Sequence, residues 1–274
     1  MSAPVAQRPQ QQQAGGVTFV NVLRAEWVKF WSVRSTAWAV LALVVVTIGI
    51  TTLFSWGISE SYDQLDASER SDLDPANASL SGLFFGQLVI AVLGALVVTA
   101  EYSTRGVRST FTAVPRRLNV LAAKALVLAV VAFVVGLVTC FVAFFIGQLF
   151  FASVDIDVSL GDPGVPRVII GGALYVVGCG MFGFALGTLL RHSAGAITTA
   201  VALLLVVPPL IGLIPDALGG EQISKWFTSN AGTHIMETVS STEGIGPWSG
   251  YAAFTLQWLV LLVIGAWLVK RRDA

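Results

Sequence analysis

"ALVLAVVAFVVGLVTCFVAFFIGQLFF", residues 125–151, contains no Asp, Glu, Lys or Arg. A helix needs about 20 apolar residues to cross a hydrocarbon core of roughly 30 Å, and this run is long enough. Five more runs share its character: Thr36–Gly57, Gly82–Ala100, Val168–Leu190, Ala194–Ile214 and Tyr251–Val269. They sit in a chain of 274 residues that is 55% hydrophobic and only 12% charged, with a mean hydropathy of +0.78. A soluble domain carries about 25% charged residues. A membrane β-barrel would need alternating segments of roughly ten residues, and these runs do not alternate. The composition therefore specifies an all-α polytopic membrane protein. Its spans are expected at about 36–57, 82–100, 120–151, 168–190, 194–214 and 250–269, within a transmembrane domain over 36–270.

The formal charge is zero, with 16 basic and 16 acidic residues, but they are segregated. Six spans put both termini on one side. That side takes thirteen bases (all but Arg70, Arg167 and Lys225) and three acids (Glu26, Glu101 and Asp273), which gives +10 there and −10 opposite. Basic residues collect on the cytoplasmic side of a membrane. The sequence thus predicts a cell-membrane protein with cytoplasmic termini and acidic outer loops at 58–81, 152–167 and 215–250.

Residues 1–16, "MSAPVAQRPQQQQAGG", read as a disordered cytoplasmic tail. They lack the short apolar core and cleavage site of a signal peptide. In "VTFVNVLRAEWVKFWSVRSTAW", residues 17–38, Phe19, Val20, Leu23, Trp27, Phe30 and Trp31 fall on one helical arc. Asn21, Ala25, Lys29 and Ser32 fall opposite. An aromatic face with basic edges predicts an amphipathic helix over 17–35 lying in the membrane interface, with Arg24 on its flank. Glu26 and Lys29, three residues apart, are expected to pair weakly.

The first basic loop reads "EYSTRGVRSTFTAVPRR", residues 101–117. Val107, Phe111, Val114 and Leu118 recur at helical spacing, with Arg105 and Arg108 turned elsewhere. Pro115 suits the first turn of a new helix and not the interior of an old one. A short helix over about 105–114 is expected to end there, with Arg116, Arg117 and Lys124 at the interface. Arg105 and Arg108, one and two turns past Glu101, are its expected ion-pair partners.

Further on, Gly180, Gly183 and Gly187 stack on one face of the fourth span, where small residues let backbones approach. The sequence leaves open whether that contact lies within one chain or between two. Arg191 and His192 fall in a turn of four or five residues. Pro208 and Pro209 are expected to kink or end the fifth span. Beyond it, Ile223, Trp226, Phe227, Ile235 and Val239 suggest short re-entrant helices within 215–249.

Catalytic chemistry finds little support. His192 and His234 are the only histidines, Cys140 and Cys179 both fall inside spans, and no HExxH, CxxC, GxSxG or GxxxxGK[ST] occurs. The acids Glu60, Asp63, Asp66, Glu69, Asp72 and Asp74 read as a solvated loop without calcium-loop spacing, and Asn77-Ala78-Ser79 is a glycosylation sequon in form. No span carries a charge at mid-bilayer, as coupled carriers usually require.

With "LRAEWVKFWSVRSTAW" (23–38) and "AEYSTRGVRSTFTAVPRR" (100–117) in place around six spans, the chain resembles the permease subunit of an ABC-2 type transporter. The resemblance runs from Val17 to Arg272 and implies a type V exporter-like fold: interfacial helix, six spans, and a broken helical region outside between spans five and six. It implies that Glu101, Arg105, Val107, Arg108, Phe111, Val114, Pro115, Arg116 and Arg117 form a coupling segment, seated on a separate ATP-binding subunit present in two copies. ATP and Mg would then belong to that partner, and this chain would be a transport subunit rather than an enzyme, binding no cofactor or metal. A second permease chain, identical or a close paralogue, would complete the path. The path in this family is lined by spans one, two and five, where Phe84, Phe85, Gln87, Thr198 and Thr199 are candidates. The resemblance implies efflux, and the uncharged path suits a hydrophobic or amphipathic substrate such as a drug, antibiotic, lipid or peptide. No nucleic-acid partner is expected. A non-transporting scaffold or sensor subunit would use the same apolar spans, and the sequence leaves that alternative open.

Overall fold

The computed structural model describes residues 18–103, 117–238 and 245–272. Among these there is no β-strand, and six helices are long and apolar enough to cross a membrane. The expected tail and the loop residues Arg105, Val107, Arg108, Phe111, Val114, Pro115 and Arg116 lie outside the described residues, as does Val239.

Helix α1 (Phe19–Ser32) begins on Thr18, whose hydroxyl accepts the Asn21 N–H. It ends at Val33, a single extended residue that separates it from α2 (Arg34–Ser61). Two short helices follow, α3 (Ala67–Asp72) and α4 (Pro75–Ala78), and then the spans α5 (Leu83–Ser103), α6 (Arg117–Phe151) and α7 (Val165–Leu190). Each span outruns its apolar core, because the helical hydrogen-bond ladder continues into the polar margins.

α7 is the axis of the bundle, buried along nearly its whole length. α5, α6 and α12 (Pro247–Arg272) pack around it, and α2 leans on α5 and α6. Small residues permit the closest of these approaches. A Cβ at Gly183 would overlap the Ala91 carbonyl oxygen, and one at Gly94 would overlap that of Gly180. A Cβ at Gly187 would stand 2.9 Å from the Ala95 carbonyl oxygen. The glycine face of α7 is therefore occupied by α5 of the same chain. Trp38, Leu53, Phe54, Val260, Val263 and Trp267 on α2 and α12 point outward, as lipid-facing residues do.

The turn after α7 is shorter than its sequence suggests. Arg191 takes a left-handed conformation (φ 55°), and the His192 ring nitrogen accepts the Gly195 N–H at 3.2 Å, capping α8 (Ser193–Val201). Two residues make the turn, not four or five.

Pro208 and Pro209 disturb the fifth span as expected, and it ends at Ile211, two residues past them. A π-helical segment, Ala202–Val206, precedes them, with Val207 donating to the Ala202 carbonyl, and α9 (Val207–Ile211) carries the helix onward. A wide turn ahead of a proline makes room for its ring. Pro208 and Pro209 have no N–H to give the carbonyls of the preceding turn, Leu203 and Leu204 among them. Thr228 Oγ1 donates to Leu203 at 3.1 Å and Ser229 Oγ to Leu204 at 3.2 Å.

Those two hydroxyls come from the segment after the fifth span, which folds into α10 (Gly220–Trp226) and α11 (Thr228–Thr233). Its inward residues are mostly small or polar, namely Thr228, Ser229, Ala231 and Gly232, together with Ile235. Ile223 and Trp226 are exposed, so the apolar residues that drew attention in the sequence are not, Ile235 apart, the ones that seat the segment. Asp74 departs from the solvated acidic loop expected of it, since its carboxylate accepts the Thr238 N–H at 2.8 Å and the Thr238 hydroxyl at 2.7 Å. Arg167 donates to the carbonyls of Glu237 (2.6 Å) and Thr238 (3.0 Å). The sequon is a packing element: Ser79 is fully buried against Gln148, and the Asn77 amide donates to Met236.

Candidate functional site

The structure offers two constellations, one at each end of the bundle. At the basic end α1 presents Val22, Glu26 and Phe30, each four residues apart, to the bundle. Val22 packs on Val120 and Ala123 of α6, and one turn further Lys124 meets Glu26. Lys124 Nζ lies 2.7 Å from Glu26 Oε2 and 2.7 Å from Glu101 Oε1, and Lys29 also pairs with Glu101. Lys124 is 6% exposed and Glu26 8%, so the inner pair is withdrawn from water. Buried ions of this kind persist only when each has a partner.

This arrangement corrects two expectations. Glu26 does not pair with Lys29 along α1; it turns inward to Lys124, and Lys29 reaches across to Glu101. Among the described residues the partners of Glu101 are these two lysines; Arg105 and Arg108, to which the sequence pointed, lie outside the described residues. The aromatic arc of α1 also does not face one way. Phe30 is buried, Leu23 is partly buried, and Phe19, Trp27 and Trp31 are exposed. In a membrane both faces of such a helix can be apolar, one toward protein and one toward lipid.

Glu101 stands in the last turn of α5 and Lys124 in the second turn of α6, so the network fastens together the two helix ends that bracket the loop 104–116. It joins both of them to α1. Beside it lies a cavity of about 150 Å³, walled by these charges on one side and by Phe30, Leu93 and Val97 on the other.

At the acidic end a larger chamber, about 570 Å³, opens between α5, α7, α9 and the α10–α11 segment. Among the described residues no Asp, Glu, Lys, Arg or His lines it. Its polar wall includes Asn77, Ser81, Gln87, Tyr175, Asn230 and Thr233, and its apolar wall includes Phe84, Leu205 and Pro209. Gln87 is buried and locked from both sides: its amide donates to Phe84 O at 2.9 Å, and it accepts the Tyr175 hydroxyl. Of the five path candidates, Phe84 and Gln87 line this chamber. Phe85 packs edge-on against Phe84, 5.1 Å between ring centroids, without lining it. Thr198 and Thr199 on α8 do not line it either. Tyr175 and Asn230 escaped the sequence reading; the one available signal was Tyr175 itself, a buried phenol that needs a partner inside an apolar span.

Such a bundle, with an uncharged chamber at one end and a charged junction at the other, is that of a multi-pass membrane transport protein. The chain belongs to the ABC-2 family transporter proteins, whose family model matches residues 22–209. No curated protein matches it. Members of this family are membrane transport subunits, typically not catalytic themselves, and the family in general works with an ABC ATP-binding subunit. The match takes in most of α1, the charge network and the span-five prolines, whereas α10, α11 and α12 lie beyond it.

Proposed function

We propose that this chain is the permease subunit of an ATP-driven exporter that moves a hydrophobic or amphipathic substrate by alternating access. ATP and Mg would be bound by a separate ATP-binding subunit in two copies, and a second permease chain would close the path. The ends of α5 and α6 that bracket the loop 104–116 would then face the cytoplasm, in keeping with the thirteen bases on that side.

The observation that carries the reading is the Glu26–Lys124–Glu101 network. A motor seated on loop 104–116 would act on helix ends already joined to one another and to α1, so that a push on the loop moves three elements together. Coupling of this sort needs packed elements that shift as units. The catalytic work would stay with the partner, while Arg105, Arg108 and Phe111 receive it.

The test is purification of the tagged chain in mild detergent from its native source, with mass determination of the intact complex. The expected result is a two-plus-two assembly with ATPase activity. A lone chain, or one bound to a protein with no nucleotide site, would overturn the proposal. Changing Arg108→Ala and Phe111→Ala together is expected to abolish transport while the chain still inserts.

A further inference from the structure

We infer that the chamber at the acidic end is a binding site for neutral amphiphiles bearing hydroxyl or amide N–H groups. Its role as a station for exported substrate rests on the permease reading; binding itself does not. A volume of about 570 Å³ falls in the range of small-molecule sites. The chemistry of the walls narrows the occupant. With no charged side chain among the described residues of the lining, an ionised ligand would give up its hydration and gain no counter-charge there. A purely apolar ligand would leave the polar wall unmatched.

That wall has unused capacity. Ser81 Oγ is buried with no hydrogen-bond partner among the described residues. Asn77 and Asn230 commit their amide N–H groups to Met236 O and to Ser224, and no described group donates to either amide oxygen. The open positions are therefore two acceptors and one hydroxyl, which ask for a ligand that donates. Opposite them Phe84, Leu205 and Pro209 form a face for an apolar body.

The chamber also has a neighbour. A second cavity of about 410 Å³ shares Gly212, Ser224, Asn230 and Thr233 with it and is lined by Asp216, Glu221, Lys225 and His234. The partition between them is held by Asn230 Nδ2 donating to Ser224 Oγ at 3.1 Å and to Ser224 O at 3.2 Å. A neutral ligand leaving the chamber for the charged outer vestibule would pass beside this contact between α10 and α11.

The experiment uses the full chain in lipid nanodiscs without any ATP-binding subunit, labelled by a diazirine-bearing octyl glucoside and mapped by mass spectrometry. Cross-links are expected to concentrate in residues 77–87 and 204–236. Unlabelled octyl glucoside should remove them, while octyl sulfate and octyltrimethylammonium should not. Ser81→Ala and Asn230→Ala should each weaken competition by about tenfold, the loss of roughly one hydrogen bond. Equal competition by all three detergents, or labelling spread along the lipid-facing side of α6, would overturn the assignment even if neither variant could be purified. If labelling behaves as expected but the reconstituted complex moves nothing, the permease reading fails and the binding site stands. Transport without competed labelling sinks the site alone.

Discussion

Ser229 donates its hydroxyl to the carbonyl of Leu204 across 3.2 Å, filling a place that Pro209 cannot. Thr228 does the same for Leu203. In a low-dielectric bundle an unpartnered carbonyl is costly, and hydroxyls from a neighbouring element are one way to satisfy it. Ser229→Ala and Thr228→Val should each destabilise the folded chain by about 1 kcal/mol. In a chain carrying Pro208→Ala and Pro209→Ala, new N–H groups reach those carbonyls and the same changes should cost less. Thermal unfolding in detergent measures both arms of this cycle. Strictly additive losses would show that prolines and hydroxyls are unconnected.

Lys124 balances two carboxylates that come from α1 and α5. Lys124→Met removes the charge and leaves both acids buried without it, which is expected to destabilise by about 3–5 kcal/mol. Lys29→Ala should cost less than about 1 kcal/mol, since Lys29 is 45% exposed and its pairing is screened. Adding Glu26→Gln and Glu101→Gln to Lys124→Met should recover much of the loss. Denaturation midpoints read the order. Equal losses from the two lysine variants would refute a special place for Lys124.

These two relationships mark where sequence reading stops. The six spans are legible because uncharged apolar runs of about 20 residues are a local property, and so is the sign of the charge at each end. The partner of Glu26 lies 98 residues away, and nothing in the spacing of α1 selects Lys124 over Lys29. The arc of aromatics on α1 is correctly helical but silent on which side meets protein, because lipid accepts Trp27 and Trp31 as readily as a core accepts Phe30. The prolines announce a disturbed helix, yet their remedy is a pair of hydroxyls twenty-five residues on from the carbonyls they reach, in a segment whose apolar residues drew attention instead. The chamber is less legible still, since Ser81, Tyr175 and Asn230 converge only through packing.

Outside the bundle, Asp66 caps α3 in a reciprocal box with Glu69. The Glu69 N–H first, and then the Ser68 hydroxyl, hold its carboxyl below the usual carboxylate range. A lowered folded pKa means that the cap contributes fully above the unfolded value of about 4 and is lost as pH falls through the folded one. The protection of amides 67–72, measured relative to the intrinsic exchange rate at each pH, should fall on acidification below about pH 4. Asp66→Asn, an equally good cap, should flatten that dependence. A pH profile unchanged by the substitution would assign the effect to another group.

Gly183 and Gly180 share one face of α7, yet they should respond differently to the same methyl group. A Cβ at Gly183 runs into the Ala91 carbonyl oxygen, part of a helix backbone that cannot rotate aside. At Gly180 the nearest atom is Ile90 Cγ1 at 3.2 Å, on a side chain that can yield. Gly183→Ala should therefore push α5 from α7 and destabilise by about 1–3 kcal/mol, with Gly180→Ala costing well under that. The displacement matters beyond stability, because α5 carries both Gln87 at the chamber and Glu101 at the charge network. Moving it should also weaken octyl glucoside labelling of residues 77–87, which Gly180→Ala should leave intact. If both variants unfold at the same temperature as the parent, the α5–α7 contact is looser than the structure has it, and α5 could not carry a displacement from one site to the other.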